Sequence, residues 1–84
     1  MRLSQLKTNQ IATITQVHQH FEDNSQDEKD AIASRLANLG FSAGEQVEVL
    51  TRGLFGGEPL LVKIGFTRFA LRSNEAERIE VELV

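Results

Sequence analysis

Ile32, Leu36 and Leu39 recur at helical spacing and form an apolar stripe, and Gly40 follows the last of them, where helices commonly end in the left-handed conformation. Phe41 is placed to fold back against the last helical turn, and Gly44 supplies a second turn. Upstream, Ser25-Gln26-Asp27-Glu28 has capping-box spacing, which predicts a helix over about Gln26 to Leu39. Elsewhere the period changes from helical to alternating. Ile79, Val81 and Leu83 alternate with Glu80 and Glu82, the pattern of a strand with one wet and one buried face. Further strands are expected at Ile11 to Val17, Gln46 to Thr51, Leu60 to Ile64 and Thr67 to Leu71, with the last running from Arg78 to Leu83.

The links after Gly40 are short. Ile64-Gly65-Phe66-Thr67 reads as a tight hairpin with Gly65 taking the unusual backbone angle. Asn74 is offered as a cap with Glu77 at the box position, so one helical turn is expected before the last strand. The predicted class is mainly β: a small SH3-like barrel of about five strands, with one α-helix after the first strand and a short helical turn before the last.

Composition narrows the function more than the fold. The 84 residues, with one proline and no cysteine, fit one small domain over 1–84. A core of this size supplies roughly 3 to 5 kcal/mol, so a closed sheet or oligomerisation is expected to add to it. The net charge of −3, with scattered basic residues and acids concentrated from Glu22 to Asp30 and at the C-terminal end, argues against nucleic acid as a partner. The acidic run reads first as a solvated approach to the helix, whose first turn favours negative charge. The N-terminal residues lack the apolar run of a signal peptide and no segment is long enough to span a bilayer, so a cytoplasmic protein is expected.

Three groups of residues carry candidate chemistry. His18, His20 and Glu22 alternate, so in an extended segment they point the same way, and two imidazoles with a carboxylate suit ferrous iron or zinc. The plainer reading is exposed histidines at a strand end, and no resident metal or cofactor is assigned. Leu54 and Phe55 lie between glycines in Arg52-Gly53-Leu54-Phe55-Gly56-Gly57-Glu58-Pro59, off any strand period. They either bind a partner or fold inward to plug the barrel. Arg35, near the carbonyl end of the helix, and Arg72, within reach of Glu75 or Glu77, read as structural. No phosphate-cradling loop, nucleophile elbow or metalloprotease pattern occurs, so no enzymatic activity is expected.

Leu3-x-x-Leu6, Arg35-Leu36-x-x-Leu39-Gly40-x-x-x-Gly44, Gly57-x-Pro59 and Ala70-Leu71-Arg72-x-x-Glu75-Ala76-x-x-Ile79-x-Val81 occur in an order that resembles the FeoA family over nearly the whole chain. The resemblance implies an SH3-like fold shared with the C-terminal domain of some DtxR-type repressors. It also implies a non-enzymatic accessory of ferrous iron uptake, contacting the cytosolic part of a FeoB-type transporter and reaching the membrane only through that partner. Two departures stand out. Thr8-Asn9 replaces the family's frequent Pro-Gly, though Asn9 can still enter the left-handed region, and the stretch from His18 to Asp30 is longer and more acidic than usual. The alternatives are a metal-responsive regulatory domain using His18 and His20, or a generic SH3-like peptide binder. Such binders rely on aromatic walls, and this chain has five phenylalanines but neither Trp nor Tyr.

Overall fold

A computed structural model describes residues 1–18, 31–53 and 56–84. A 3-10 turn, Leu3–Gln5, opens the chain. It is followed by β1 (Ile11–Val17), α1 (Ala31–Leu39), β2 (Gln46–Gly53), β3 (Gly57–Ile64), β4 (Thr67–Leu71), α2 (Ser73–Ala76) and β5 (Ile79–Leu83). The five strands form one antiparallel sheet in the order β4-β3-β2-β1-β5. The expected capping box at Ser25 and Glu28, with the first residues of the predicted helix, lies outside the described residues.

Alternation along the strands puts Val47, Val49, Val62, Ile64, Ile79 and Val81 into one core, where cross-strand partners such as Val47 and Ile64 share a face. Leu3 and Leu6 enter from the 3-10 turn, Leu36 from α1 and Ala76 from α2. Among the described residues Phe41 is the largest fully buried side chain, and it meets Phe69 with ring centroids 5.4 Å apart in a tilted arrangement. Leu83 departs from the expected inward face. It is 53% exposed at the end of β5, opposite Ala12 of β1.

The helix ends as its sequence requires. Gly40 has φ +104°, the Phe41 N–H donates to the Leu36 carbonyl at 3.0 Å, and the Gly40 N–H donates to the Ala37 carbonyl at 3.1 Å. These are the paired bonds of a Schellman C-cap. Asn9 takes the left-handed conformation expected of it, with φ +70°. In the β3–β4 hairpin Gly65 has φ +57° between the paired residues Ile64 and Thr67.

The cap of α2 differs from the sequence reading. The N-cap is Arg72, not Asn74, and Glu75 at the third helical position accepts the Arg72 backbone N–H at 2.9 Å. The same carboxylate takes Arg35 of α1 through its other oxygen, so Arg35 is an inter-helix tie and not a complement to its own helix end. Glu77 instead accepts from the Ser4 hydroxyl at 3.1 Å. Closure also differs from expectation. Among the described residues β4 and β5 share no ladder, and α2 joins them by packing on α1, β3 and the 3-10 turn.

Candidate functional site

Strands β2 and β3 meet at a braced end of the sheet. The base of their connection is the pair Gly53 and Gly57, where the ladder shifts register after Arg52. A Cβ on Gly53 would lie 1.9 Å from the Glu58 carbonyl oxygen, so only glycine permits that approach of the two strands. One side is fixed by Arg52, whose Nη2 donates to the Ser4 carbonyl at 2.9 Å and to the Leu6 carbonyl, binding β2 to the 3-10 turn. On the other side the Glu58 carboxylate accepts both the backbone N–H and the hydroxyl of Ser73, holding the start of β3 to the first turn of α2. These two hydrogen bonds keep the Glu58 carboxyl below the usual carboxylate range.

Between these braces is a shallow cleft of about 290 Å³ lined by Ser4, Arg52, Glu58, Leu60, Ser73 and Glu77. Its charged groups are already engaged: Arg52 with carbonyls, Glu58 with Ser73, and Glu77 with Ser4. The arrangement is suited to holding a loop rigidly at its two ends. Leu54 and Phe55, the predicted contact pair, lie outside the described residues. The sequence marks Arg52 and Glu58 only as residues flanking the loop, because their partners are 46 and 15 residues away.

The histidine site is only partly described. His18 Nε2 lies 2.9 Å from Glu80 Oε1, and the His18 backbone N–H donates to the Arg78 carbonyl at 2.7 Å. This contact with His18 holds the Glu80 carboxyl below its ordinary range. His20 and Glu22 lie outside the described residues. Among the described residues no group of three His, Cys, Asp or Glu side chains gathers to hold a metal. Glu80 appeared in the sequence only as a wet-face residue, since it meets His18 across 62 positions.

Five antiparallel strands with two short helices, braced at one end by the 3-10 turn, define a small SH3-like β domain. The family model described as the FeoA domain matches residues 1–83, and the chain belongs to the FeoA family. It is similar to FeoA from Stenotrophomonas maltophilia, a procaryotic SH3 domain protein complexed with zinc and put forward as a bacterial ferrous iron transport activating factor. The two are 49% identical over 98% of this chain and 89% of that one, with a TM-score of 0.80. FeoA from Chlorobium tepidum is 32% identical over 100% of this chain and 70% of its own, with a TM-score of 0.77. A manganese-dependent transcriptional repressor in complex with manganese, 21% identical, shares the fold over 100% of this chain and 36% of its own at a TM-score of 0.79. No curated protein matches the chain. Among the described residues no helix is long and apolar enough to cross a membrane.

Proposed function

We propose that this protein is a non-enzymatic, cytoplasmic accessory of ferrous iron uptake that works by contact with the cytosolic region of a FeoB-type transporter. In this reading residues 1–84 act as one domain, the β2–β3 loop makes the contact, and Leu54 and Phe55 are its apolar anchors. Membership of the FeoA family carries the reading. The braced base supports the choice of loop: Arg52 and Glu58 fix the two strand ends that carry it.

Capture of the transporter's cytosolic region by wild type and by Leu54→Ser with Phe55→Ser tests it. The double variant is expected to lose on the order of 2 kcal/mol or more in binding, because a few apolar anchors dominate a small interface. Its melting temperature should stay near the wild type's. Leu36→Ala is the control, since Leu36 is wholly buried and its truncation should cost roughly 2 to 5 kcal/mol of stability. A loop variant that destabilises as the control does places Leu54 and Phe55 in the core. Unchanged capture moves the contact elsewhere.

A second reading, metal response through His18, His20 and Glu22, draws support from the zinc complex of the Stenotrophomonas relative. Anaerobic calorimetry with ferrous ion separates the two. Heat of binding that is lost in His18→Ala with His20→Ala favours metal response, whereas contact through the loop alone leaves iron uptake intact in that variant.

A further inference from the structure

Residues 59–74 hold three of the chain's nine cations and none of its twelve acids, in a protein of net charge −3. The three are Lys63, Arg68 and Arg72, and folding puts them on one surface. Val62, Ile64 and Leu71 turn into the core, so Lys63 on β3 and Arg68 and Ala70 on β4 take the outer face of the sheet. Arg72 is still extended, with φ −81° and ψ 159°, so the alternation along β4 reaches it as well.

Lys63 and Arg68 are direct cross-strand partners. The two-residue turn makes Ile64 and Thr67 a hydrogen-bonded pair, so Lys63 and Arg68 form the next, non-hydrogen-bonded pair, in which side chains stand closest. Like charges placed this way destabilise a sheet. Glu48 lies opposite Lys63 on the β2 side, yet among the described residues none of the three cations forms an ion pair. Glu58 feels the charge of Arg72, but its carboxylate is already held by Ser73. At the turn Phe66 is wholly exposed, at 102%, and the half-buried Leu61 lies across from the exposed Ala70. The hairpin thus keeps opposed cations and a bare ring that its own packing leaves unmatched, a local conflict of the kind found at functional surfaces.

We propose that the outer face of the β3–β4 hairpin docks an acidic segment of a partner protein, extended along β4 and carrying an apolar residue between two carboxylates. Arg68, Ala70 and Arg72 recur about every 7 Å, the spacing of alternate residues in an extended chain. Carboxylates four residues apart on the partner therefore meet the two arginines, each able to receive one through paired N–H bonds, while the residue midway rests on Ala70 and Leu61. A carboxylate at Arg68 also offsets its repulsion from Lys63. Charge decides the occupant. Arg68 and Arg72 stand roughly 14 Å apart along the strand, too far for one phosphate group to serve both. An anionic lipid surface fits less well, because Glu45 and Glu48 lie beside Lys63 and Gly65 at the turn and would be pressed against the headgroups. The surface is at the other end of β3 from Gly57, so it stands independently of the contact proposed for Leu54 and Phe55.

The test is an NMR titration of the full chain with a short synthetic peptide in which glutamates flank a leucine at alternate positions, beside a second peptide with lysines in their place. The glutamate peptide should shift the amides from Lys63 to Arg72 and bind more weakly as salt rises, and the lysine peptide should leave them unmoved. Arg68→Glu separates binding from stability. It puts an acid opposite Lys63, so it should raise the melting temperature by about 1–4 °C while weakening the glutamate peptide at least about tenfold. Arg68→Gln should fall between wild type and Arg68→Glu in both measurements. The inference is overturned by a glutamate peptide that causes no shift up to roughly 1 mM, by shifts confined to other residues, or by equal binding of the lysine peptide. A lower melting temperature in Arg68→Glu also overturns it, since the opposed cations would then be no conflict. Phosphatidylserine vesicles provide the last arm: capture by them that Arg68→Glu abolishes, with the peptide inert, assigns the face to lipid instead.

Discussion

Gly40 and Gly53 are glycines for different reasons, and substitution separates them. At Gly40 no heavy atom beyond the residue itself and its neighbours in the chain lies within 4 Å of where a Cβ would sit, so only the backbone angle objects. Gly40→Val should cost about 1–2 kcal/mol through a β-branched residue at φ +104°. At Gly53 a Cβ would meet the Glu58 carbonyl, which is backbone and cannot turn away. Gly53→Ala should therefore cost more, above about 2 kcal/mol, despite the smaller side chain. Urea denaturation of the two variants decides it, and a Gly53→Ala midpoint at the wild-type position would show that β2 and β3 separate there without penalty. The turn at Gly40 could be read from sequence because a Schellman cap is local. The close approach at Gly53 could not, because it depends on how two strands cross.

The short helix α2 depends on two carboxylates, each tying it to a different neighbour. Glu75 is nearly buried, accepts the Arg72 N–H and pairs with Arg35 of α1, so it holds α2 to its own start and to the longer helix. Glu75→Ala should cost about 1–3 kcal/mol by leaving that N–H without its acceptor. Arg35→Ala should cost under about 1 kcal/mol, since its side chain is 50% exposed and the pair is screened by solvent. Thermal melts of the two rank them, and equal losses would mean that the ion pair, not the cap, holds the turn. Glu58 gives a pH signature. Its folded-state pKa lies below the ordinary carboxylate value because Ser73 donates to the ionised form. Its contribution is therefore present above that ordinary value and lost as pH falls through the lowered one. The stability difference between wild type and Glu58→Gln should be constant near neutrality and shrink in acid. A difference that grows as pH falls would contradict the Ser73 contact.

The core brings together side chains from the 3-10 turn, every strand and both helices, so truncation at its centre should be felt throughout. Leu36→Ala is expected to lower stability by roughly 2 to 5 kcal/mol in a single cooperative transition, with fluorescence-independent probes such as far-UV circular dichroism and amide exchange agreeing on the midpoint. Separate transitions for helix and sheet would show that α1 is an appendage to the sheet. The expectation of a closed sheet was met differently. Among the described residues α2 connects β4 to β5 in place of a ladder between them.

Period, punctuation and family pattern were enough to read the strands, the helix end at Gly40, the left-handed Asn9 and the SH3-like class, because each rests on neighbours within a few positions. Boundaries that depend on pairing were less legible. β2 and β3 run to Gly53 and from Gly57, beyond their apolar stretches, since ladder bonds continue wherever a partner strand lies alongside. The long-range polar contacts were not legible at all: Arg35 with Glu75, Arg52 with the Ser4 and Leu6 carbonyls, Glu58 with Ser73, and His18 with Glu80. A charged side chain at a surface position carries no local mark of its partner. Its role is assigned when folding brings an acceptor or donor from a distant segment to within about 3 Å, and that distance belongs to the packed chain alone.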